Sequence, residues 1–140
     1  MPPAVLASAS MARVTGIGGI FFKARDADAL RAWYRKHLGI DIEPWGGVSF
    51  NWREGETNGR EGSTVWSIFD AKSDYFRSDT QQFMINYRVD DLARVLAELR
   101  AEGCTVDDKV EESEFGKFGW VHDPEGNRLE LWEPPPGKQG

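Results

Sequence analysis

The chain has 140 residues, of which 40% are hydrophobic and 29% charged, a size and composition that fit one domain around a single core. A formal charge of -6 argues against a nucleic-acid partner, because phosphate neutralisation needs a basic face. The lone cysteine, Cys104, excludes an intrachain disulfide and suits a reducing cytoplasm, and no apolar run approaches the roughly 18 residues that a membrane span needs.

Residues 1–11 are small and weakly apolar, without the basic start and long apolar stretch of a signal peptide. They read as a flexible leader, with Met11 a candidate start. Patterned sequence begins at Arg13-Val14-Thr15. Ile17–Ala24 reads as a strand, and Asp26 is placed to cap a helix whose apolar face is Leu30, Trp33, Tyr34 and Leu38. Gly39 suits its left-handed C-terminal cap. Three short strands are expected next, near Ile40–Pro44, Val48–Arg53 and Ser63–Phe69, with polar residues 54–62 between the last two.

Residues 70–82 read as a polar linker. Beyond them the pattern returns: a strand over Phe83–Val89, a cap at Asp90-Asp91, helical spacing at Leu92, Val95, Leu96 and Leu99, and Gly103 at the helix end. Three more strands are expected near Thr105–Val110, Gly119–His122 and Arg128–Glu133, the last two joined by the turn Asp123-Pro124-Glu125-Gly126-Asn127. Cys104 is expected to be a buried, inert thiol at a strand start. The expected fold is therefore α+β: two βαβββ modules, 12–69 and 83–134, whose sheets curl into a shared ligand cup with the helices outside. A tail, 135–140, follows Pro134 and leaves the body.

Strand alternation assigns side chains to the cup. Gly19, Phe21 and Lys23 face inward, with Ile20 and Phe22 toward the helix. Met84, Asn86 and Arg88 face inward, with Ile85, Tyr87 and Val89 toward the helix. Arg128, Glu130 and Trp132 share the cup side. A buried carboxylate at Glu130 needs partners, and Arg88 is the expected ion-pair partner. Trp45, Trp52, Trp66, Trp120 and Trp132 lie on strands or their edges. Trp66 and Trp132 are expected as cup walls, and Trp120 as a further contact. Glu111–Trp120 combines carboxylates, glycines and aromatics, as a solvated loop or a lip over the cup.

These stretches resemble the vicinal oxygen chelate superfamily, the glyoxalase/bleomycin-resistance/extradiol-dioxygenase fold. The carrying residues are Gly16–Phe22, Trp33–Gly39, Tyr87–Leu92 and above all Gly119-Trp120-Val121-His122-Asp123-Pro124-Glu125-Gly126-Asn127-Arg128-Leu129-Glu130-Leu131. The resemblance covers Val14 to Pro134 and is strongest to small bacterial members of the superfamily. It implies a homodimer and, in metal-using members, ligands on the first and last strands of each half. Matched to this chain, those positions are Gly19, Trp66, Met84 and Glu130, of which only Glu130 suits a hard or borderline divalent ion. His37 falls on the outer helix and His122 at a strand end. No metal and no cofactor are therefore expected.

Three functions compete. The first is a metal-free, bleomycin-resistance-like binder of a small aromatic or cationic molecule, contacted by Lys23, Phe21, Trp66, Met84, Asn86, Arg88, Trp120 and Trp132. The second is a lyase, isomerase or dioxygenase of the superfamily, with Glu130 as base or metal ligand. The third is a collapsed cup serving assembly.

Overall fold

The computed structural model describes residues 13–51 and 62–136. The expectations for residues 1–11, for Trp52 and for the end of the tail lie outside them.

Nine elements follow in chain order: β1 (Val14–Ala24), α1 (Ala27–Leu38), β2 (Gly47–Asn51), β3 (Ser63–Asp70), β4 (Phe83–Val89), α2 (Leu92–Ala101), β5 (Thr105–Ser113), β6 (Gly116–His122) and β7 (Arg128–Glu133). The strands form one curled sheet in the order β2-β3-β1-β4-β7-β6-β5. The pairs β1–β3 and β4–β7 run parallel, and the other neighbours run antiparallel. Parallel neighbours need a crossover, and α1 and α2 supply one in each half.

Each helix begins as its sequence dictates. Asp26 accepts from the Ala29 amide and Asp91 from the Arg94 amide, each satisfying a first-turn donor. Gly39 ends α1 in the left-handed conformation, with φ 66°. Leu92, Val95 and Leu96 of α2 bury against Val89, Val121 and Leu131, forming the firmest part of the core. Each such side chain contributes about 1.5–3 kcal/mol on burial. On the same face of the sheet, α1 covers Phe22, Trp66 and Ile68 through Leu30 and Tyr34.

The structure differs from the sequence reading at several points of the fold. No strand forms over residues 40–44. Arg35 instead binds the Ile42 carbonyl, and Glu43 turns the chain back to Gly47, so the two halves do not match element for element. Trp33 and Leu38 of α1 are exposed, so the buried stripe of that helix is narrower than its spacing suggests. Cys104 is exposed, because the Glu102–Gly103 turn carries it past the end of the core. Residues 111–120 do not form a solvated loop: they extend β5 and β6 into a hairpin turning at Glu114-Phe115, and that turn borders the cup. Among the described residues, no helix is long and apolar enough to cross a membrane.

Candidate functional site

The face of the sheet away from the helices forms a trough holding a cavity of about 840 Å³. Beneath it one row of paired residues crosses the sheet. Ser49 pairs with Val65, Val65 with Gly19, Gly19 with Asn86, Asn86 with Glu130 and Glu130 with Trp120. A register shift between Ile17 and Gly19 places Gly18 beside Gly19 on the trough face. A Cβ at Gly18 would collide with the Asn86 side-chain carbonyl oxygen and stand 2.8 Å from the Trp132 ring, so glycine lets both side chains pack close against β1.

Glu130 is only 1% exposed, and three side chains donate to it. Asn86 Nδ2 reaches Oε1 at 2.5 Å, Trp120 Nε1 reaches Oε2 at 3.0 Å, and the Tyr75 hydroxyl also donates to Oε2. Burial pushes the Glu130 carboxyl above the ordinary carboxylate range; the three donors and the positive charge of Arg128 pull it back only in part. The Tyr75 phenol is pushed well above its ordinary range, first by burial and then by the charge of Glu130.

Tyr75 comes from residues 70–82, which the sequence presents as a polar linker. The segment is a strap tied to both halves. Its start binds β1 through Ala71 N to Ala24 O, and its end through Lys23 N to Gln82 O. Gln81 bonds both the amide and the carbonyl of Arg128, while Arg128 Nε donates to the Tyr75 carbonyl at 3.2 Å. Phe76, fully buried, packs beside Phe21, Met84 and Trp120. The sequence reading missed Tyr75; the adjacent Tyr75-Phe76 pair, aromatic within a polar run, is the one local signal that marks this segment as more than a linker.

The walls are aromatic. Phe21 and Phe69 rise on one side, and Phe118 stacks on Trp132 on the other, with ring centroids 6.1 Å apart and planes 7° apart. Trp132 Nε1 donates to the Phe115 carbonyl at 2.8 Å, which fixes the indole. Trp45 and Phe115 stand exposed at the mouth. The lining carries the carboxyl groups of Glu43, Asp70, Glu114 and Glu130 against the single guanidinium of Arg31, whose head is engaged by Asp28 and the Ile68 carbonyl.

The structure places the remaining expected residues as follows. Phe21, Asn86, Glu130 and Trp132 line the cavity. Met84 and Trp120 lie behind its surface in a buried aromatic cluster. Lys23 is buried at one end, where Nζ donates to the Ser78 carbonyl at 2.7 Å over the Phe76 ring. Arg88 is buried at the other end and donates to the Ile17 and Ser63 carbonyls, so the expected Arg88–Glu130 ion pair does not form. The cation acting on Glu130 is Arg128, which is itself paired with Asp107 at 2.5 Å.

Trp66 does not face the trough. It packs on the helix face against Phe22 and Tyr34, because the β1–β3 register sets Ile20 opposite Trp66 and Gly19 opposite Val65. The row through Glu130 likewise passes through Asn86 rather than Met84. Val65 and Asn86 thus stand where the sequence match put Trp66 and Met84.

The divalent ion implied by the fold does not suit this set. Gly19 and Val65 offer no ligand side chain, and the Glu130 oxygens already accept from three donors. Among the described residues, no group of three or more His, Cys, Asp or Glu side chains could hold an ion. His37 lies on α1 beside Trp33, and His122 ends β6, half-buried.

The model of the glyoxalase-like domain family matches residues 19–132. No curated protein matches the chain. Among solved structures, methylmalonyl-CoA epimerase from Mycobacterium tuberculosis aligns with a TM-score of 0.61 at 19% identity, over 89% of this chain and 91% of that one. A methylmalonyl-CoA epimerase from Streptomyces coelicolor, in complex with 2-nitronate-propionyl-CoA, aligns with a TM-score of 0.65 at 18% identity, over 86% and 98%. The 2,3-dioxygenase LapB from Pseudomonas sp. KL28 aligns with a TM-score of 0.60 at 21% identity, over 89% of this chain and 42% of that one. At these identities the likenesses bear on the fold alone. With the family model spanning both halves of the sheet, the chain belongs to the glyoxalase-like domain family of the vicinal oxygen chelate superfamily.

Proposed function

We propose that this protein binds a small aromatic or cationic molecule in the trough, without a metal ion. The carrying observation is the cavity itself. Its volume of about 840 Å³ falls in the range of small-molecule sites, its walls are aromatic, and carboxyl groups outnumber guanidinium groups in its lining. Flat rings stack against Phe118 and Trp132, and a positive charge is attracted by both the ring faces and the rim carboxylates. The reading includes the homodimer and the cytoplasmic setting expected from the sequence, the first of which sedimentation of the purified protein tests.

A second reading, a lyase, isomerase or dioxygenase with Glu130 as base, draws on the raised Glu130 carboxyl. It is the weaker reading, because both oxygens of Glu130 are held by donors. A coenzyme A ester of the kind bound by the Streptomyces epimerase would also bring its phosphates to a rim carrying Glu43, Asp70 and Glu114.

The test is a thermal-shift screen in the presence of a chelator, using matched sets of cationic, neutral and anionic aromatic compounds. A ligand of the folded state raises the melting temperature by mass action. Stabilisation by cationic and neutral aromatics, but not by anionic ones, is expected. Stabilisation by acyl-CoA esters alone, or by no aromatic compound, would overturn the reading.

A further inference from the structure

We propose that the β2–β3 end of the trough is a subsite for a primary ammonium group: Glu43, Trp45, Ser49 and Ser67 take the charged amine of a ligand whose flat ring lies on the aromatic walls. The inference rests on the reading of the trough as a site for aromatic or cationic molecules, and it joins the two properties in one arylalkyl amine.

Ser67 carries the inference. It pairs with Phe21 of β1, so its side chain stands on the trough face, and it is 5% exposed in the cavity lining. Its hydroxyl has no hydrogen-bond partner among the described residues. Unlike Asn86 Oδ1 and His122 Nδ1, which are sealed, that hydroxyl keeps surface open to the cavity. Buried polar groups without partners are few in folded proteins, and one that opens on a cavity points to a ligand group. Ser49, exposed and opposite Val65, adds a second hydroxyl to the same wall. Gly47 pairs with Ser67, and the Trp45 ring packs on Gly47, where a Cβ would stand 2.6 Å from it. The indole therefore lies beside Ser67 with much of its surface open. Glu43 is fixed at the same turn, its amide donating to the Gly47 carbonyl and its carbonyl accepting from the Gly46 amide, both at 2.9 Å. Its carboxylate lines the cavity and forms no ion pair among the described residues.

Two hydroxyls and a carboxylate accept hydrogen bonds there, and the indole face attracts positive charge. A primary ammonium brings three N–H donors to that set. A trimethylammonium keeps the charge but brings none, and it leaves the Ser67 hydroxyl unpaired. An alcohol brings one donor and no charge. Arg31, the guanidinium in the lining, does not oppose the amine alone: its head is turned to Asp28 at 3.3 Å and to the Ile68 carbonyl at 2.6 Å. Asp70 adds a further carboxylate to the lining.

The test is calorimetric titration of the full-length protein with phenylalkyl compounds whose arms have two, three or four carbons, each arm ended in turn by a primary amine, a trimethylammonium or a hydroxyl. At the arm length that binds best, the primary amine is expected to bind at least about tenfold more tightly than either of the other two. In the double variant Glu43→Gln, Ser67→Ala that advantage is expected to fall below about threefold. The variant removes an exposed charge and a hydroxyl without a partner, and circular dichroism checks that it folds; if it does not, the series on the parent protein decides alone. Equal affinities of the three head groups at every arm length, or tighter binding of the trimethylammonium or the alcohol, would overturn the ammonium subsite while leaving the aromatic-binding reading in place. A tenfold advantage kept in the folded double variant would overturn its assignment to these residues. Failure of all the compounds to bind would overturn both readings.

Discussion

Replacing Glu130 by leucine removes the acceptor on which three side chains converge. Trp120 Nε1 and Asn86 Nδ2 are almost wholly buried, and Tyr75 is partly so. A buried donor left without its partner costs about 1–3 kcal/mol. The Tyr75 hydroxyl can swing toward the cavity and recover part of its loss, so the total is about 3–5 kcal/mol rather than the full sum. For a domain of this size that lowers Tm by on the order of 10 °C. Glutamine keeps an acceptor and the volume, and is expected to remain within about 1 kcal/mol of the parent near pH 5.

The pH dependence then separates the two variants from the parent. Burial raises the Glu130 carboxyl, so the unfolded chain releases its proton first, near the ordinary value of 4.5. Between that pH and the higher value in the folded protein, the folded state binds more protons than the unfolded state. Parent stability therefore falls as pH rises through that window, by about 1.4 kcal/mol per pH unit, and levels off above it. Glu130→Gln lacks this loss, so its Tm relative to the parent climbs across the window. Differential scanning calorimetry of parent, Glu130→Gln and Glu130→Leu from pH 4 to 8 measures all of this. A leucine variant as stable as the parent would refute the three-donor network. A glutamine advantage that shrinks as pH rises would show that Glu130 is instead held ionised by a cation.

Tyr75→Phe removes one donor from Glu130 and should cost about 1–2 kcal/mol in a calorimetric scan. Its protonated-carboxyl infrared band should persist to higher pH than in the parent. Trp132→Ala should weaken any aromatic ligand of the trough by about tenfold or more, whereas Trp132→Phe, which keeps a ring stacked on Phe118, should weaken it by less than about threefold. Asp91→Ala removes the cap of α2 and should cost about 1 kcal/mol while leaving ligand affinity unchanged, since α2 packs on the opposite face of the sheet from the cavity.

The parts of the site carried by regular alternation were legible in the sequence. Met84, Asn86 and Arg88 on β4 and Glu130 and Trp132 on β7 fall on the trough side as period-two reading requires. Trp66 was misplaced because a shift of one residue reverses every side chain of a strand, and the β1–β3 register is settled by a parallel pairing made across α1. Gly18 was hidden by the bulge that puts two consecutive residues on one face. Tyr75 was hidden because what orients it, Gln81 and Arg128 bonding across the fold, is non-local. The partners of Glu130 were misjudged for a related reason. Electrostatics favoured an arginine, but Arg88 is drawn to backbone carbonyls at the end of the trough, and neutral donors fill its place.

On the proposed function, the trough binds an aromatic molecule without a divalent ion. Titration of benzamidine, a flat cation, into protein freed of metal by chelation tests it most directly, with the same titration repeated after adding manganese, zinc or nickel. Saturable binding is expected in the chelated protein, with a Kd unchanged within about twofold by any metal. Binding that appears only after a metal is added, with uptake of one ion per chain that is lost in Glu130→Gln, would contradict it.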